Sequence, residues 1–499
     1  MTGYRTIMRA SEPSATAVLL LAVGVLLALA VLSTRATRRA GLPVALVFLV
    51  VGLAAGRQLT GLGLDDYRLA YRLGTVALVL ILFDGGLNTP ASALARGARP
   101  AAVLASIGVA ATAVLVAVAA RACGLAWPQA FLLGAVVSST DAAAVFSMLR
   151  SSGLQLKKRV AVTLELESGL NDPVAVILTT ALAGALSNAE PLRWQMFVIG
   201  IPFHITVGAG AGLALGYGAR WLLARARLSV AGLYPVLSVA VALLAFAVPS
   251  LLRGSGLLAV YLAAFVLGNG PLPYRTGLLR VHDAAAWFGQ VGMFLILGLL
   301  VRPADLVGVA GAGVGIGLWL ALVARPLAVA LCLLPFRYPA REIAFVGWAG
   351  LRGAVPIVLA LYPVVVGVGG SRAVFTIVFF IAVLNALVPG ATLGWVTRRM
   401  GLESQAPPAP HAVLEITSTQ VLASEVMAFY IHPASAVCGS AIADLPFPEG
   451  AAALLIVRGQ ELVAPKGATV LASGDHVYVF SHPEDKALVH LLFGREEQE

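Results

Sequence analysis

The sequence predicts an all-α polytopic membrane protein of about thirteen transmembrane helices, with one interrupted helix in each of two inverted halves, followed by a small cytoplasmic α+β domain. Composition is the first reason: of 499 residues, 59% are hydrophobic and 12% charged, against about 45–50% and about 25% in soluble domains. A soluble core cannot use that much apolar surface, whereas a bilayer covers each apolar span of about 20 residues with lipid or a neighbouring helix. The second reason is that the apolar runs have membrane length. The third is an abrupt change of texture after Met400.

Apolar runs punctuated by charge, Gly and Pro place the spans near 15–33, 42–60, 69–87, 100–121, 129–149, 161–186, 196–224, 232–250, 254–272, 284–301, 304–324, 342–364 and 373–397. The first is followed by Arg35, Arg38 and Arg39, the wrong flank for a cleaved signal and the right one for a first span. Small residues, including 52 glycines, let membrane helices approach closely. Alternate connections carry 19 Lys+Arg on one side and 10 on the other. The positive-inside rule then puts the N-terminus outside and the C-terminal domain in the cytoplasm of a bacterial inner membrane.

The net charge of +10 is uneven: residues 1–400 carry 30 Lys+Arg and 12 Asp+Glu, residues 401–499 carry 4 and 12. The basic residues sit between hydrophobic spans, so they orient the protein in the membrane and do not form a nucleic-acid footprint. The three cysteines match no metal or disulfide spacing, and Gly311, Gly313, Gly315 and Gly317 lie within an apolar span, where they serve helix packing and not nucleotide binding. No enzymatic reaction and no bound cofactor are expected. The transmembrane domain covers 1–400, and a linker at 401–411 contains the Pro-rich stretch Ala406 to Pro410. In the domain at 412–499, residues 412–430, Ala451 to Arg458 and His476 to Phe480 read as strands.

A charged side chain within a span costs several kcal/mol, so each one is a functional candidate. Asp141 follows Ser138-Ser139-Thr140 in the fifth span, where successive hydroxyls compete with helical hydrogen bonds and invite unwinding. The twelfth is interrupted by Gly350-Leu351-Arg352-Gly353-Ala354-Val355-Pro356. These segments lie seven spans apart, an odd offset, and so run in opposite directions, the pattern that points to a transport site. In the sixth span Ser168 shares a helical face with Asn171 and with Asp172, offering a hydroxyl, an amide and a carboxylate to a hard cation. Glu167 points elsewhere and needs its own partner, for which Arg352 is the obvious candidate, an expected structural ion pair. Asp84, near a cytoplasmic helix end, is either interfacial or part of an ion pathway. A desolvated carboxylate that holds a proton or a metal ion, but not both, exchanges one for the other.

At Ser139-Thr140-Asp141, Glu167-Ser168-Gly169-Leu170-Asn171-Asp172-Pro173 and Gly350-Leu351-Arg352-Gly353, the sequence resembles the monovalent cation/proton antiporter superfamily, in its sodium(potassium)/proton exchanger branch, over nearly all of residues 15–400. The resemblance implies a homodimer, a core that moves like an elevator against a dimerisation domain, and crossed broken helices. It implies Asp172 as the essential carboxylate, Asp141 and Ser168 as helpers in cation binding, and Thr140 as a main-chain oxygen ligand. Asn171 stands where electrogenic relatives carry a second Asp, implying one-for-one exchange, and Asp84 where some exchangers have an acid lining the path. Residues 412–495, through Leu455-Ile456-Val457-Arg458-Gly459 and Gly474-Asp475-His476-Val477, resemble the TrkA-C regulatory module of potassium transport proteins. The same tail follows potassium/proton antiporters similar to cell volume regulation protein A, which favours potassium. The ligand of the tail, a small molecule if any, stays open. The rival readings are a sodium-selective or non-selective exchanger, a tail-gated cation channel, and a membrane sensor.

Overall fold

The computed structural model of the chain describes residues 12–40, 44–56, 66–188, 199–404, 425–459 and 461–494. The helices are α1 (Glu12–Ala40), α2 (Val44–Ala54), α3 (Tyr67–Asn88), α4 (Ala91–Val103), α5 (Val109–Ala122), α6 (Trp127–Val136), α7 (Ala142–Ser151), α8 (Lys158–Ser187), α9 (Ile201–Arg225) and α10 (Leu233–Leu251). They continue with α11 (Gly256–Gly268), α12 (Arg275–Leu300), α13 (Pro303–Trp319), α14 (Arg325–Leu333), α15 (Ala340–Trp348), α16 (Ala354–Val365), α17 (Ser371–Asn385) and α18 (Ala391–Arg399). Single wide π-turns at Leu104–Gly108, Leu320–Ala324 and Ala386–Gly390 join α4 to α5, α13 to α14 and α17 to α18, so each pair makes one long membrane helix.

Among the described residues, eight helices are long and apolar enough to cross a membrane by themselves. Five expected spans remain. Three are the single helices α2, α9 and α11, and two are the interrupted pairs α6/α7 and α15/α16. The start of the second and seventh expected spans, and the end of the second, lie outside the described residues. The eleventh span extends well past 324, to Phe336, because a π-turn absorbs the irregularity before Arg325-Pro326 without ending the helix.

The two interruptions have local causes. After Val136 the chain leaves the helix through Val137 to Asp141, and Asp141 restarts it as an N-cap, its Oδ1 accepting from Ala144 N at 3.0 Å. In the second pair, α15 ends at Trp348 and α16 begins after Gly353, with Pro356 in its first turn, where a missing N–H costs nothing. The breaks touch: Asp141 N donates to Leu351 O at 2.9 Å.

The chain divides into two compact units, one formed by Met1–Leu223, Pro235–Gly270 and Leu279–Ser404, the other by Ala224–Tyr234, Pro271–Leu278 and Gln405–Glu499. The second contains an antiparallel sheet in the order β1–β4–β2–β3, with β1 Glu425–Tyr430, β2 Ala451–Arg458, β3 Glu461–Val463 and β4 Asp475–Ser481, plus the helix α19 (Lys486–Phe493). The expected first strand began at 412; its residues 412–424, and residues 405–411 of the linker, lie outside the described residues. β3 and α19 are additions to the expected strands. Met427, Phe429, Ile456, Val477, Val479, Val489 and Phe493 form the core of this domain.

At its edge the buried Asp475 carboxylate accepts from Arg458 Nε and Nη2 and from Ala472 N, each at 2.8 Å. Arg458→Ala removes two of those donors. Because the guanidinium is partly solvated, the cost should fall near about 1–2 kcal/mol, and amide exchange of Ile456 and Val477 should accelerate by about tenfold or more.

Candidate functional site

The long helix α8 runs past the first break and supplies the side chains that close it. Asp172, 3% exposed, accepts a short hydrogen bond from Ser139 Oγ through its Oδ1. One residue earlier, Asn171 Nδ2 donates to Thr140 Oγ1 at 2.6 Å. One turn earlier, Ser168 Oγ donates to Thr140 O at 2.9 Å and accepts from Ala142 N at 3.2 Å. Ser168 thus gives the unwound segment backbone partners at Thr140 O and Ala142 N, while Asn171 and Asp172 hold the side-chain hydroxyls of Thr140 and Ser139. Asp141 lies on the other side of the break against Gly353, where any Cβ would overlap its carboxylate; glycine at that position makes room for the acid.

The structure therefore gathers Thr140, Asp141, Ser168, Asn171 and Asp172 at one place. The available donors are all oxygen, with Asn171 Oδ1 buried and without a hydrogen-bond partner. Such a set suits a hard monovalent cation and offers nothing to a soft metal.

The expected ion pair needs correction. Glu167 is met by Arg325, with Nη1 to Oε1 at 2.6 Å and Nη2 donating to Oε2 at 2.8 Å, both side chains at most 3% exposed. Arg352 is buried too, at 4% exposure, but none of its three nitrogens has a hydrogen-bond partner. The reason is geometric: Arg325 lies inside the extended eleventh span, not in the connection after it, and its guanidinium meets both carboxylate oxygens, Oε2 by a hydrogen bond and Oε1 by a close ion contact. It lies against Gly350, where a Cβ would meet its Nε.

A cavity of about 820 Å³ leads to Asp172, and its walls carry Thr140, Asp141, Ser168, Asp84, Glu165 and Asp283. Asp84 is half-buried in the cavity wall, its Oδ1 accepting from Asn88 Nδ2 at 3.1 Å. Glu165 Oε1 accepts from Thr89 Oγ1 at 3.1 Å, and Tyr261 OH donates to the same Thr89 oxygen at 3.2 Å.

Sequence reasoning missed Arg325, Asp283 and the direct bond of Ser139 to Asp172. Asp283 had a usable signal: Asp283, Trp287 and Gln290 recur at helical spacing, and all three line the cavity from α12. Glu167→Gln would leave Arg325 buried without its counter-charge, and should lower the stability of the purified protein by about 3–5 kcal/mol. Glu167→Asp should recover part of the loss in a thermal-unfolding measurement, because the charge remains.

Residues 24–399 match the family model described as "Sodium/hydrogen exchanger, transmembrane", and residues 426–494 match the TrkA-C domain. The chain is 39% identical over 475 residues to the K(+)/H(+) antiporter NhaP of Alkalimonas amylolytica, covering 93% of this chain and 81% of that one. It is 38% identical over 478 residues to the K(+)/H(+) antiporter NhaP2 of Shewanella sp. strain ANA-3, covering 95% and 83%. The sodium proton antiporter MjNhaP1 of Methanocaldococcus jannaschii shares the fold, with a TM-score of 0.63 at 22% identity over 77% of this chain and 99% of that one. The family match over most of the chain, joined to a buried carboxylate at two touching helix breaks, makes the conclusion plain: this chain belongs to the sodium/hydrogen exchanger family, as a multi-pass membrane antiporter of monovalent cations and protons.

Proposed function

We propose that the chain exchanges potassium for protons, one for one, across a bacterial inner membrane, with Asp172 as the carboxylate that carries each in turn. The observation that carries this reading is the burial of Asp172 in the cavity wall, among the oxygens of Ser139, Thr140 and Ser168. When a proton occupies the carboxylate, the Ser139 contact keeps it in place; when a cation enters, Thr140 O, Ser168 Oγ and Asp141 complete its coordination. Each ligand expels the other because one oxygen pair cannot serve both. The named K(+)/H(+) relatives support potassium.

The charges support electroneutrality. The half-buried Asp141 and the buried Asp172 and Glu167 share the core with the buried cations Arg325 and Arg352, so the fully ionised core is one negative charge in excess. One potassium ion or one proton brings it to neutrality, and Asn171, uncharged, adds nothing. A site that is neutral in both loaded forms crosses the bilayer without doing work against the membrane potential.

The reading includes a homodimer and an elevator-like movement of the site helices. It also places the N-terminus outside and the tail in the cytoplasm. Contacts between connections support that orientation: Arg159 reaches Phe336 O, and Lys157 N donates to Leu402 O, joining segments that all fall on the expected inner side. The bridge between Leu156 and Glu403, with Ser404 N donating to Gln155 O at 2.8 Å, ties the chain that leads to the tail to the α7–α8 connection. Through that tie the tail regulates exchange.

The test is dissipation of an imposed pH gradient in proteoliposomes on adding potassium, sodium or lithium, with and without a clamped potential. Potassium should dissipate the gradient at a rate indifferent to voltage, and Asp172→Asn should reduce it to the level of empty vesicles while the protein still inserts. A sodium-only response would reassign the substrate, a reading that the name of MjNhaP1 keeps open, and a flux surviving in Asp172→Asn would remove the exchange mechanism. Deleting residues 405–499 should shift the pH or ion dependence of exchange without abolishing it; complete loss in a correctly inserted deletion would refute regulation by the tail.

A further inference from the structure

A second cavity, of about 770 Å³, lies away from the transport site, between α4, the first turns of α8 and residues 336–338. Its walls carry the cationic side chains Arg99, Lys158 and Arg159 and the apolar side chains Pro100, Val162 and Phe336. Gly97 brings the walls together, since a Cβ there would meet Val162 Cγ1 at 2.6 Å; the close crossing sets Arg99 beside the start of α8.

One of the three cations is fixed. Arg159 stacks its guanidinium over the Tyr338 ring, 3.8 Å from the centroid, and donates through Nη2 to Phe336 O at 3.2 Å. Among the described residues, the carboxylate paired with it is Glu342, 3.9 Å from Arg159 Nε, at the outer limit of an ion pair. Among the described residues no carboxylate pairs with Arg99 or Lys158, both exposed. The polar groups Thr163 and Tyr338 complete the wall and are bonded to one another at 2.8 Å. Three cations against one carboxylate leave the cavity positive.

We propose that this cavity binds the phosphate of an anionic phospholipid headgroup, with Arg99 and Lys158 as its charge partners and Arg159 as the fixed wall. Guanidinium and ammonium groups together suit a phosphate diester. A basic pocket between membrane helices at the charged side of the bundle is where such headgroups are held. The apolar walls favour lipid over free phosphate, because they offer cover to the glycerol and the first methylenes of a chain and nothing to a soluble anion. The lipid would sit on the first turns of α8, the helix that carries Ser168, Asn171 and Asp172, so binding at the rim bears on the element that forms the site.

The test is thermal unfolding of the purified full chain in a neutral detergent, with phosphatidylglycerol, phosphatidylcholine or millimolar inorganic phosphate added. Phosphatidylglycerol should raise the midpoint of the wild type, and Arg99→Gln/Lys158→Gln should lose at least half of that shift. Arg99→Lys/Lys158→Arg, which keeps both charges, should retain it, and so should Arg398→Gln/Arg399→Gln, which removes two exposed cations elsewhere. Equal shifts in the wild type and Arg99→Gln/Lys158→Gln would overturn the proposal, as would an equal loss in Arg398→Gln/Arg399→Gln. If inorganic phosphate alone reproduced the shift, the cavity would be a soluble-anion site and the lipid assignment would fail. Should the double Gln variant not fold, Lys158→Gln alone, read against Lys158→Arg, decides the same question.

Discussion

The hydrogen bond from Asp141 N to Leu351 O joins the two places where helices stop inside an apolar medium. Each stop frees backbone donors and acceptors that have no water to turn to, and an unsatisfied group there costs several kcal/mol. The two breaks answer this partly by bonding to each other and partly by recruiting α8. Ser168, Asn171 and Asp172 hold the first break, and that duty fixes their positions to within a hydrogen bond. Ser168 Oγ, which repairs the backbone, belongs to the same oxygen cluster as Asp172. Structure and transport are therefore difficult to separate by mutation at Ser168 or Asn171. At Asp172 they separate more cleanly, because an amide preserves the hydrogen bond from Ser139 and removes the charge.

The positive groups obey a second constraint. Three acids, Glu167 and Asp172 buried and Asp141 half-buried, cannot remain in one apolar core without compensation. Arg325 compensates Glu167 directly, in a buried pair that leaves neither Asp141 nor Asp172 neutralised. Arg352 lacks any hydrogen-bond partner, and so acts on the core through its field. It lines, with Asp141 and Gly353, a small cavity behind the break. A fixed pair at Glu167 and an unpaired cation nearby leave the net charge of the core to be decided by what occupies Asp172.

Much of this was legible in the sequence, and the parts that were not have identifiable causes. The hydroxyl run before Asp141 and the Gly-rich break before Pro356 announce interrupted helices, because their chemistry opposes the helix locally. The face shared by Ser168, Asn171 and Asp172 follows from helical spacing alone. The partner of Glu167 did not follow, because a long-range pair depends on which helix end reaches the core. Arg325 stands beside Pro326 at the edge of an apolar run and reads as a helix terminus, whereas a π-turn carries the helix onward and takes the arginine inside. Asp283 was hidden for a related reason: α12 begins at Arg275, earlier than hydrophobicity suggests, so a residue that reads as a connection belongs to a cavity wall.

The distribution of oxygen around Asp172 also bears on why exchange and not conduction suits this fold. A channel needs several weak sites in a row, so that an ion entering one displaces an ion leaving the next. Here Asp84, Glu165 and Asp283 line the cavity, while the hydrogen-bonded groups of Ser139, Thr140, Ser168 and Asn171 gather beside the buried Asp172. Gly353 packs on Asp141 so closely that a Cβ there would overlap the carboxylate. In the proposed exchange, an ion that arrives at Asp172 goes back or travels with the helices that hold it. If the helices move only when the core charge is neutral, then a bare Asp172 cannot return, and each cycle must carry a cation one way and a proton the other.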